Sequence, residues 1–552
     1  MSGIISTGLS GLLASQSSLS TISHNIANVN TEGYSRQRVE LSASLPQFTG
    51  GGYVGQGVDV ATVTRSYDQF ISNQLSSSTS AFGESNTLST LASQVDNITS
   101  NEATGLSTGL KSFFSAANGV ANDPTSLSAR QVMLTEASSL SQQFNRLSSQ
   151  FDSIRNQVNG QMQSTVDDIN SLAKNIAELN GKIAVVATNS LYSQPPNDLL
   201  DQRDALINKL AEKISVTAIP QQNGSIDLVI GKGQSLVSGT STAKLSLVGS
   251  ANDPSHKDVL LDGHNIGKDI NGGELSGAIK FRDQILDPAQ QQLGLVAAGF
   301  TVQFNALHTT GFDLNGNAGT NMFSLGASAL NVPVIANPSN VGSITATYDP
   351  LTSGQLAPSD YNLSYDGSNF SLKRLSDNTV TTFAGPPPTT IAGPGFSIST
   401  GATVAANDSF LIRPTFNAAQ TMTTLITDPT KIAAAGTTGG AGSPITGDNT
   451  VALGLANLEN KPILSGGRST FNSAYGQLVS QVGALTSSAK VSSSAQEALL
   501  NQAKQSRESL AGVNLDEEAA NMLKYQQSYQ AAAKVVSIAS SLFDTLIGAI
   551  NR

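Results

Sequence analysis

Cysteine and tryptophan are absent from this 552-residue chain, and charged residues make up only 13% of it. Without cysteine there is no disulfide framework, no thiolate metal site and no cysteine nucleophile. Thirty basic residues against forty acidic ones give a net charge of −10, with no basic stripe of the kind that releases counterions on a phosphate backbone; nucleic-acid binding is excluded. No run of about 18 consecutive apolar residues occurs, so no helix is expected to insert in a membrane. The first Asp, Glu, Lys or Arg is Glu32, so no basic region precedes the early apolar residues, and a cleaved secretory leader is not expected.

Catalytic constellations are equally scarce. The four histidines, His24, His256, His264 and His308, lack a second ligand at zinc-site spacing, and each reads as a surface or hydrogen-bonded side chain. Gly231-Lys232-Gly233 and Gly55-Gln56-Gly57 lack the third glycine of a dinucleotide loop and read as turns. Asp313-Leu314-Asn315-Gly316-Asn317 begins like a calcium loop, but position six is Ala318 and position twelve is Ser324, which leaves a polar turn. Asp201 and Asp204, with Arg203 between them, read as surface ion pairs of little worth. No catalytic, cofactor-binding or metal-binding residue is nominated, and the chain is not expected to be an enzyme.

What the sequence does contain is helical periodicity, mapped by its prolines. Ten of nineteen prolines lie between Pro333 and Pro429, while 125–194 and everything after Pro462 contain none. The series Leu140, Phe144, Leu147, Phe151, Ile154, Val158, Met162, Val166, Ile169, Leu172, Ile176, Leu179, Ile183 steps by three or four and predicts one helix over 125–186, with a kink allowed at Gly160 or Gly181. Leu199 to Ile214 continue the pattern; alternation around Gln222-Asn223-Gly224 then predicts a hairpin. A return helix is expected over 275–307. Leu363, Tyr365, Phe370 and Leu372 flank the Asp366-Gly367 turn, Phe410 and Ile412 follow Asn407-Asp408, and Pro386–Pro388 form a loop. From Phe471 through Tyr475, Leu478, Val482, Leu485, Ala489, Ser492, Gln496, Leu499, Ala503, Ser506 and Leu510 another helix runs to Gly512, and Asn514 with Glu517 forms a capping box for the last one.

The fold class is therefore a multidomain α+β protein: a long helical rod, with a coiled-coil core from the two chain ends and a β-rich insertion. The expected division is an N-terminal axial segment (1–60) pairing with 515–552, helical segments at 61–215 and 445–512, β hairpins at 216–274, a return helix at 275–310, and a β-rich outer domain at 320–430.

Both ends look built for neighbours. Met522, Tyr525, Tyr529, Ala532, Val536, Ala539, Phe543, Leu546 and Ile550 form a heptad seam, yet Ile538, Leu542 and Ile547 lie off it, so the apolar surface is wider than one partner needs. Ile5, Leu9, Leu12, Gln16, Leu19, Ser23 and Ile26 keep the same spacing, with Ile22 alongside. Between Lys524 and Arg552 the only charges are Lys534 and Asp544. Alone, the first segment is a weak helix former that orders only when covered. The two ends can cover each other in part; the remainder calls for further copies of the same or a related chain.

Residues 22–37, Ile-Ser-His-Asn-Ile-Ala-Asn-Val-Asn-Thr-Glu-Gly-Tyr-Ser-Arg-Gln, resemble the N-terminal signature of bacterial flagellar rod, hook and hook-associated proteins, matching at Asn25, Ile26, Ala27, Asn28, Thr31, Gly33 and Tyr34. Three more stretches are similar to the hook-associated protein 1 family: Pro196–Asp204, Phe304–Asp313, and Val513–Glu518 running into Tyr525-Gln526-Gln527. The resemblance implies a structural junction protein of the flagellum, forming a ring between the hook protein and a second junction protein on the filament side. It implies export through the flagellar type III pathway, with transient residence in the cytoplasm and a cytosolic chaperone on the C-terminal helix. The assembly residues it points to are Leu9, Leu12, Leu19, Ile22 and Ile26 with Met522, Tyr525, Tyr529, Val536, Phe543, Leu546 and Ile550. Asn25, Asn28, Gly33 and Tyr34 would shape the exit of the first helix, Gly33 because the chain needs positive φ there. A secreted adhesin using the 320–430 domain, another hook or rod protein, and a cell-wall hydrolase are the alternatives.

Overall fold

The computed structural model describes residues 2–48, 51–101, 105–188, 194–250, 253–326, 330–437 and 447–550. Eleven helices are found among them: α1 (Ser2–Ala27), α2 (Gln69–Thr99), α3 (Leu106–Asn122), α4 (Leu127–Thr188), α5 (Asn197–Lys213), α6 (Gly273–Phe281), α7 (Asp287–His308), α8 (Ala418–Thr421), α9 (Thr450–Asn457), α10 (Phe471–Ala511) and α11 (Leu515–Ile550).

The 62-residue α4 is the spine, roughly 90 Å long at 1.5 Å per residue. Its three-four series is buried from Leu140 to Ile183, with Leu172 only partly covered, and the helix runs through Gly160 and Gly181. Continuous burial of that face outweighs the cost of two glycines, each about 1 kcal/mol. Against one end of the spine, Phe113, Phe114, Phe300, Phe304, Phe323 and Phe471 bring α3, α7, α10 and one short strand together with ring centroids 5.2–6.1 Å apart.

The expected return helix is interrupted. Arg282–Leu286 form one wide π-helical turn between α6 and α7. Pro288 sits in the first turn of α7, where a missing N–H is tolerated, so the wide turn lets the helix pass a residue that would otherwise break it. α10 also departs from its expected seam. After Ala489 burial continues through Leu500, Ala503 and Ala511, while Leu499 and Leu510 are exposed. The helix packs along α2, whose buried face is rich in serine (Ser78, Ser80, Ser85, Ser89), and Leu500 and Ala503 cluster with Leu75 of that helix.

The predicted hairpin forms as 216–220 against 226–230 and grows into a four-stranded sheet, followed by a three-stranded one over 245–265. The outer domain is a sandwich. One sheet orders strands 331–332, 344–348, 396–400 and 390–393; the other orders 334–336, 409–412, 361–365, 369–374 and 380–384. Alternating burial along 344–348 and 361–365 turns Ile344, Ala346, Tyr348, Tyr361, Leu363 and Tyr365 inward. Strands 323–325 and 422–424 pair with each other and close the base of the insertion. A further strand pair, 37–43 with 58–65, begins inside the first expected segment and runs past its limit at residue 60.

The Phe304–Asp313 stretch proves to be internal. Asn305 accepts from the Met322 and Phe323 amides and donates to the Phe323 carbonyl. His308 is buried, its Nδ1 facing the Thr320 carbonyl at 2.6 Å and its Nε2 accepting from the Ala433 amide at 2.9 Å. Burial pushes its pKa down to about 4. Protonation would set a second N–H against the Ala433 amide. The depressed value means the unfolded chain takes up the proton first as pH falls, so this contribution is whole above about pH 6.5 and is lost toward pH 4. We expect up to about 3 kcal/mol of lost stability across that window. Urea midpoints against pH should slope there for the natural chain and be flatter for His308→Gln.

Candidate functional site: an assembly interface

The two ends of the chain meet at a polar node built on Asn25. This side chain is 1% exposed and uses its whole hydrogen-bonding capacity. Its Oδ1 accepts from the Gln37 amide (2.9 Å) and the Tyr34 hydroxyl (2.7 Å). Its Nδ2 donates to the Gln37 carbonyl (2.8 Å) and to Glu518 Oε2 (3.0 Å) on α11. Only a carboxamide offers two donors and two acceptors in one plane. Burial, then Asp198, Asp201 and Glu518, push the Tyr34 pKa up, which keeps the hydroxyl a donor.

Arg36 extends the node, pairing with Glu517 and Glu518 at 2.7 Å each, while its amide donates to the Ala511 carbonyl. Asn514 caps α11 by accepting from the Asp516 and Glu517 amides, but Glu517 turns to Arg36 instead of closing the expected capping box. Asn28 closes the other helix end, its Nδ2 donating to the His24 carbonyl at 3.0 Å and its Oδ1 accepting from Thr31. Gly33 has φ +84°, and a Cβ there would lie 2.9 Å from the Ala205 Cβ. Conformation and close approach both demand glycine.

Ala205 belongs to α5, and the rest of that helix is the third side of the node. Asp201 accepts from the Ser35 amide (2.8 Å), and Arg65 bridges Asp201 and Asp204 at 2.7 Å each. Arg203 donates to Asn180 and to the Gly224 carbonyl. The expectation of surface ion pairs here is corrected: Asp201 and Arg203 are 5% and 4% exposed. α5 is covered on several sides, so near-consecutive positions all face protein. Burial raises the Asp201 pKa in spite of Arg65 and the Ser35 amide. Three stretches far apart in sequence, 22–37, 196–204 and 513–518, are thus one structure.

From this node α1 and α11 run side by side, but not on the seam their leucines suggest. Gly8, Ala14, Ser15, Ser18 and Ile22 are the buried face of α1. A Cβ at Gly8 would lie 2.9 Å from Val536 Cγ2, and one at Gly11 3.7 Å from the Ala532 Cβ. Ser15 and Ser18 return their hydroxyls to the carbonyls of Gly11 and Ala14, so they are buried without an unmet donor. α1 also packs on the 37–65 strand pair, Ser10 Oγ accepting from the Val58 amide. The hydropathy of the leucines masked this small-residue stripe, although its three-four spacing is present in the sequence.

The nominated residues therefore divide. Ile22 is buried; Leu12, Leu19, Ile26, Met522, Tyr525 and Val536 are partly covered. Leu9, Tyr529, Phe543 and Leu546 stay open, with Leu9 at 49% and Leu546 at 47% exposure. Ile550 ends α11, and its side chain lies outside the described residues. Ile538, Leu542 and Ile547 are exposed beside them. By length and composition alone, the helical stretch within Phe471–Ala549 is apolar enough to cross a membrane, although it contains no uninterrupted apolar run of that length. Serine, threonine and glycine, which interrupt those runs, lower the mean hydropathy only a little. Among the described residues no cluster of three or more His, Asp or Glu could hold a metal.

Known proteins match the whole of this arrangement. Residues 5–34 match the flagella basal body rod protein family and 504–549 the C-terminal family of flagellar basal body rod FlgEFG proteins, the termini of a flagellar axial protein. Residues 92–323 match the helical domain of flagellar hook-associated protein FlgK, and 335–414 the D2-like domain of flagellar hook-associated protein 1. Flagellar hook-associated protein 1 of Salmonella typhimurium is 35% identical over 557 residues, covering 99% of this chain and 100% of that protein. The Escherichia coli protein of that name is 34% identical with the same coverage, and the Bacillus subtilis one 26% identical, covering 99% and 98%. The flagellar hook junction protein FlgK from Burkholderia pseudomallei superposes with a TM-score of 0.71 at 27% identity, over 80% of this chain and 100% of that one. The chain belongs to the flagellar hook-associated protein 1 (FlgK) family. It is a structural axial component of the bacterial flagellum at the hook–filament junction, and the D2-like match leaves the adhesin reading without support.

Asn25→Leu should strand Glu518 Oε2, the Tyr34 hydroxyl and the Gln37 amide. Each buried group left unpaired costs about 1–3 kcal/mol. Hydrogen exchange should accelerate in α1 and the start of α11 while the Phe304 core stays protected; uniform protection would show that the node does not hold the ends.

Proposed function

We propose that this chain joins its ring through the face that α1 and α11 leave open, with Leu9, Tyr529, Phe543, Leu546 and Ile550 meeting adjoining subunits and Leu12, Leu19, Ile22, Ile26, Met522, Tyr525 and Val536 aligning the pair. The observation that carries this reading is the row Leu542, Phe543, Leu546 and Ile547, all exposed on the part of α11 after Lys524, where Lys534 and Asp544 are the only charges. Contiguous apolar surface of this kind marks an interaction site. Each such side chain contributes about 1.5–3 kcal/mol when fully covered, so a few suffice to order the ends in an assembly. Asn25, Asn28, Gly33 and Tyr34 act from within, fixing the angle at which α1 leaves the node.

The partners in this reading are copies of the same chain, the hook protein on one side and the second junction protein on the other. Export by the flagellar type III pathway would follow synthesis in the cytoplasm, where a chaperone covers the C-terminal helix. The physical reason for a chaperone is the same uncharged face, which would self-associate if left free. The domain limits set out from the sequence serve this division: the terminal segments assemble, and the 320–430 region projects.

Deleting residues 520–552 should leave a folded monomer that cannot join a hook. Because that deletion also uncovers α1, the sharper test is Leu542→Ser with Leu546→Ser, which touches only the open face. We expect unchanged thermal unfolding of the isolated chain together with loss of filament growth and swimming; motile cells carrying the double variant would refute the interface.

A further inference from the structure

A cluster of buried charges lies where the outer sandwich meets the rod. Arg413 follows the last strand of the sandwich. Its two terminal nitrogens each lie 3.0 Å from an oxygen of Asp253, and its Nε lies 2.9 Å from Asp360 Oδ2. Asp360 stands at the start of strand 361–365, whereas Asp253 belongs to the loop between strands 245–249 and 257–261, outside the sandwich. The guanidinium carbon sits 3.5 Å from the Phe416 ring centroid, and Arg155 of α4 approaches the same ring at 4.9 Å. Arg155 pairs with Asp287 of α7 at 2.6 Å. His256 lies between the two halves, with Nδ1 3.1 Å from Asp253 and Nε2 2.8 Å from Asp287.

Burial alone would raise the Asp287 pKa, yet His256 and Arg155 hold it down at about 2. At Asp360 burial wins and pushes the pKa up to about 6 despite Arg413. The desolvation cost here is large. Buried ion pairs seldom stabilise more than apolar packing would, and their best-attested use is to select one geometry. Here they span three bodies: the rod, the 245–265 sheet and the sandwich. Among the described residues the rest of the seat is held by neutral contacts, with Gln303 donating to the Pro350 carbonyl and the Gly466 amide to the Gly354 carbonyl.

We propose that Arg413, gripped by Asp253 and Asp360, is an orientation lock that holds the outer sandwich at a single angle to the helical rod. Bidentate geometry is essential to it, because a planar fork fixes direction where a point charge fixes only distance. With the lock removed, the sandwich keeps its fold and swings about its neutral seat.

The cysteine-free chain allows a direct test. Spin labels on Ser153→Cys in α4 and Val341→Cys in the sandwich, both exposed positions, report the angle as a distance distribution. We expect one narrow distance in the parent, a distribution at least twofold wider in Arg413→Met, and an intermediate width in Arg413→Lys. A change in stability alone does not widen the distribution of the folded molecules, so the width separates a lock from ordinary packing. A broad parent, or an Arg413→Met distribution as narrow as the parent's, overturns the proposal. Should Arg413→Met fail to fold, Asp253→Asn removes the bidentate partner and is read by the same criterion.

Discussion

Everything at the chain ends depends on one saturated carboxamide. Asn25 holds the Gln37 backbone, the Tyr34 hydroxyl and the Glu518 carboxylate at once, so the turn after α1 and the start of α11 cannot move independently. Glu518, itself 1% exposed, also takes Arg36. A buried carboxylate is tolerable only with such partners, and each of them comes from the segment after α1 or from α1 itself. The family signature is therefore a structural device inside the subunit. In the assembly proposed above, it aims the face that meets a neighbour.

That division explains the odd composition of the termini. The inner side of α1 is small and hydroxyl-bearing because α11 comes close enough for Gly8 to meet Val536. The outer side carries the leucines. A leucine seam between the two helices would have held them farther apart and used up the apolar side chains that now remain available. Close packing by small residues and an open apolar face are two results of one arrangement.

The helical part of the fold was largely legible in the sequence because burial of a single face imposes a three-four rhythm, as from Leu140 to Ile183. The Asn223-Gly224 and Asp366-Gly367 turns were legible for a similar reason: the backbone there has few residues to choose from. The π-turn before Pro288 was not, since hydropathy carries no record of how a helix passes a proline. Nor was the drift of the α10 seam after Ala489, where α2 sets Ser85 opposite Ser492 before Leu75 meets Leu500 and Ala503. At the site, Asn25 and Gly33 stood out as motif residues with a role, whereas Arg36 and Glu518 lay inside the same motifs with none assigned and Asp201 was read as a surface ion pair. Charges look solvated in sequence, and only the fold reveals that the neighbours of α5 and α11 shut water out.

The outer sandwich enters and leaves the rod through a narrow neck, where strand 323–325 pairs with 422–424. Phe323 in that neck belongs to the phenylalanine core, so the two crossing strands are tied to the rod whatever lies beyond them. The body past the neck carries its own strand pairings, so a change confined to those strands leaves the paired neck and the phenylalanine core beneath it in place, much as a tool head is reworked without altering the handle.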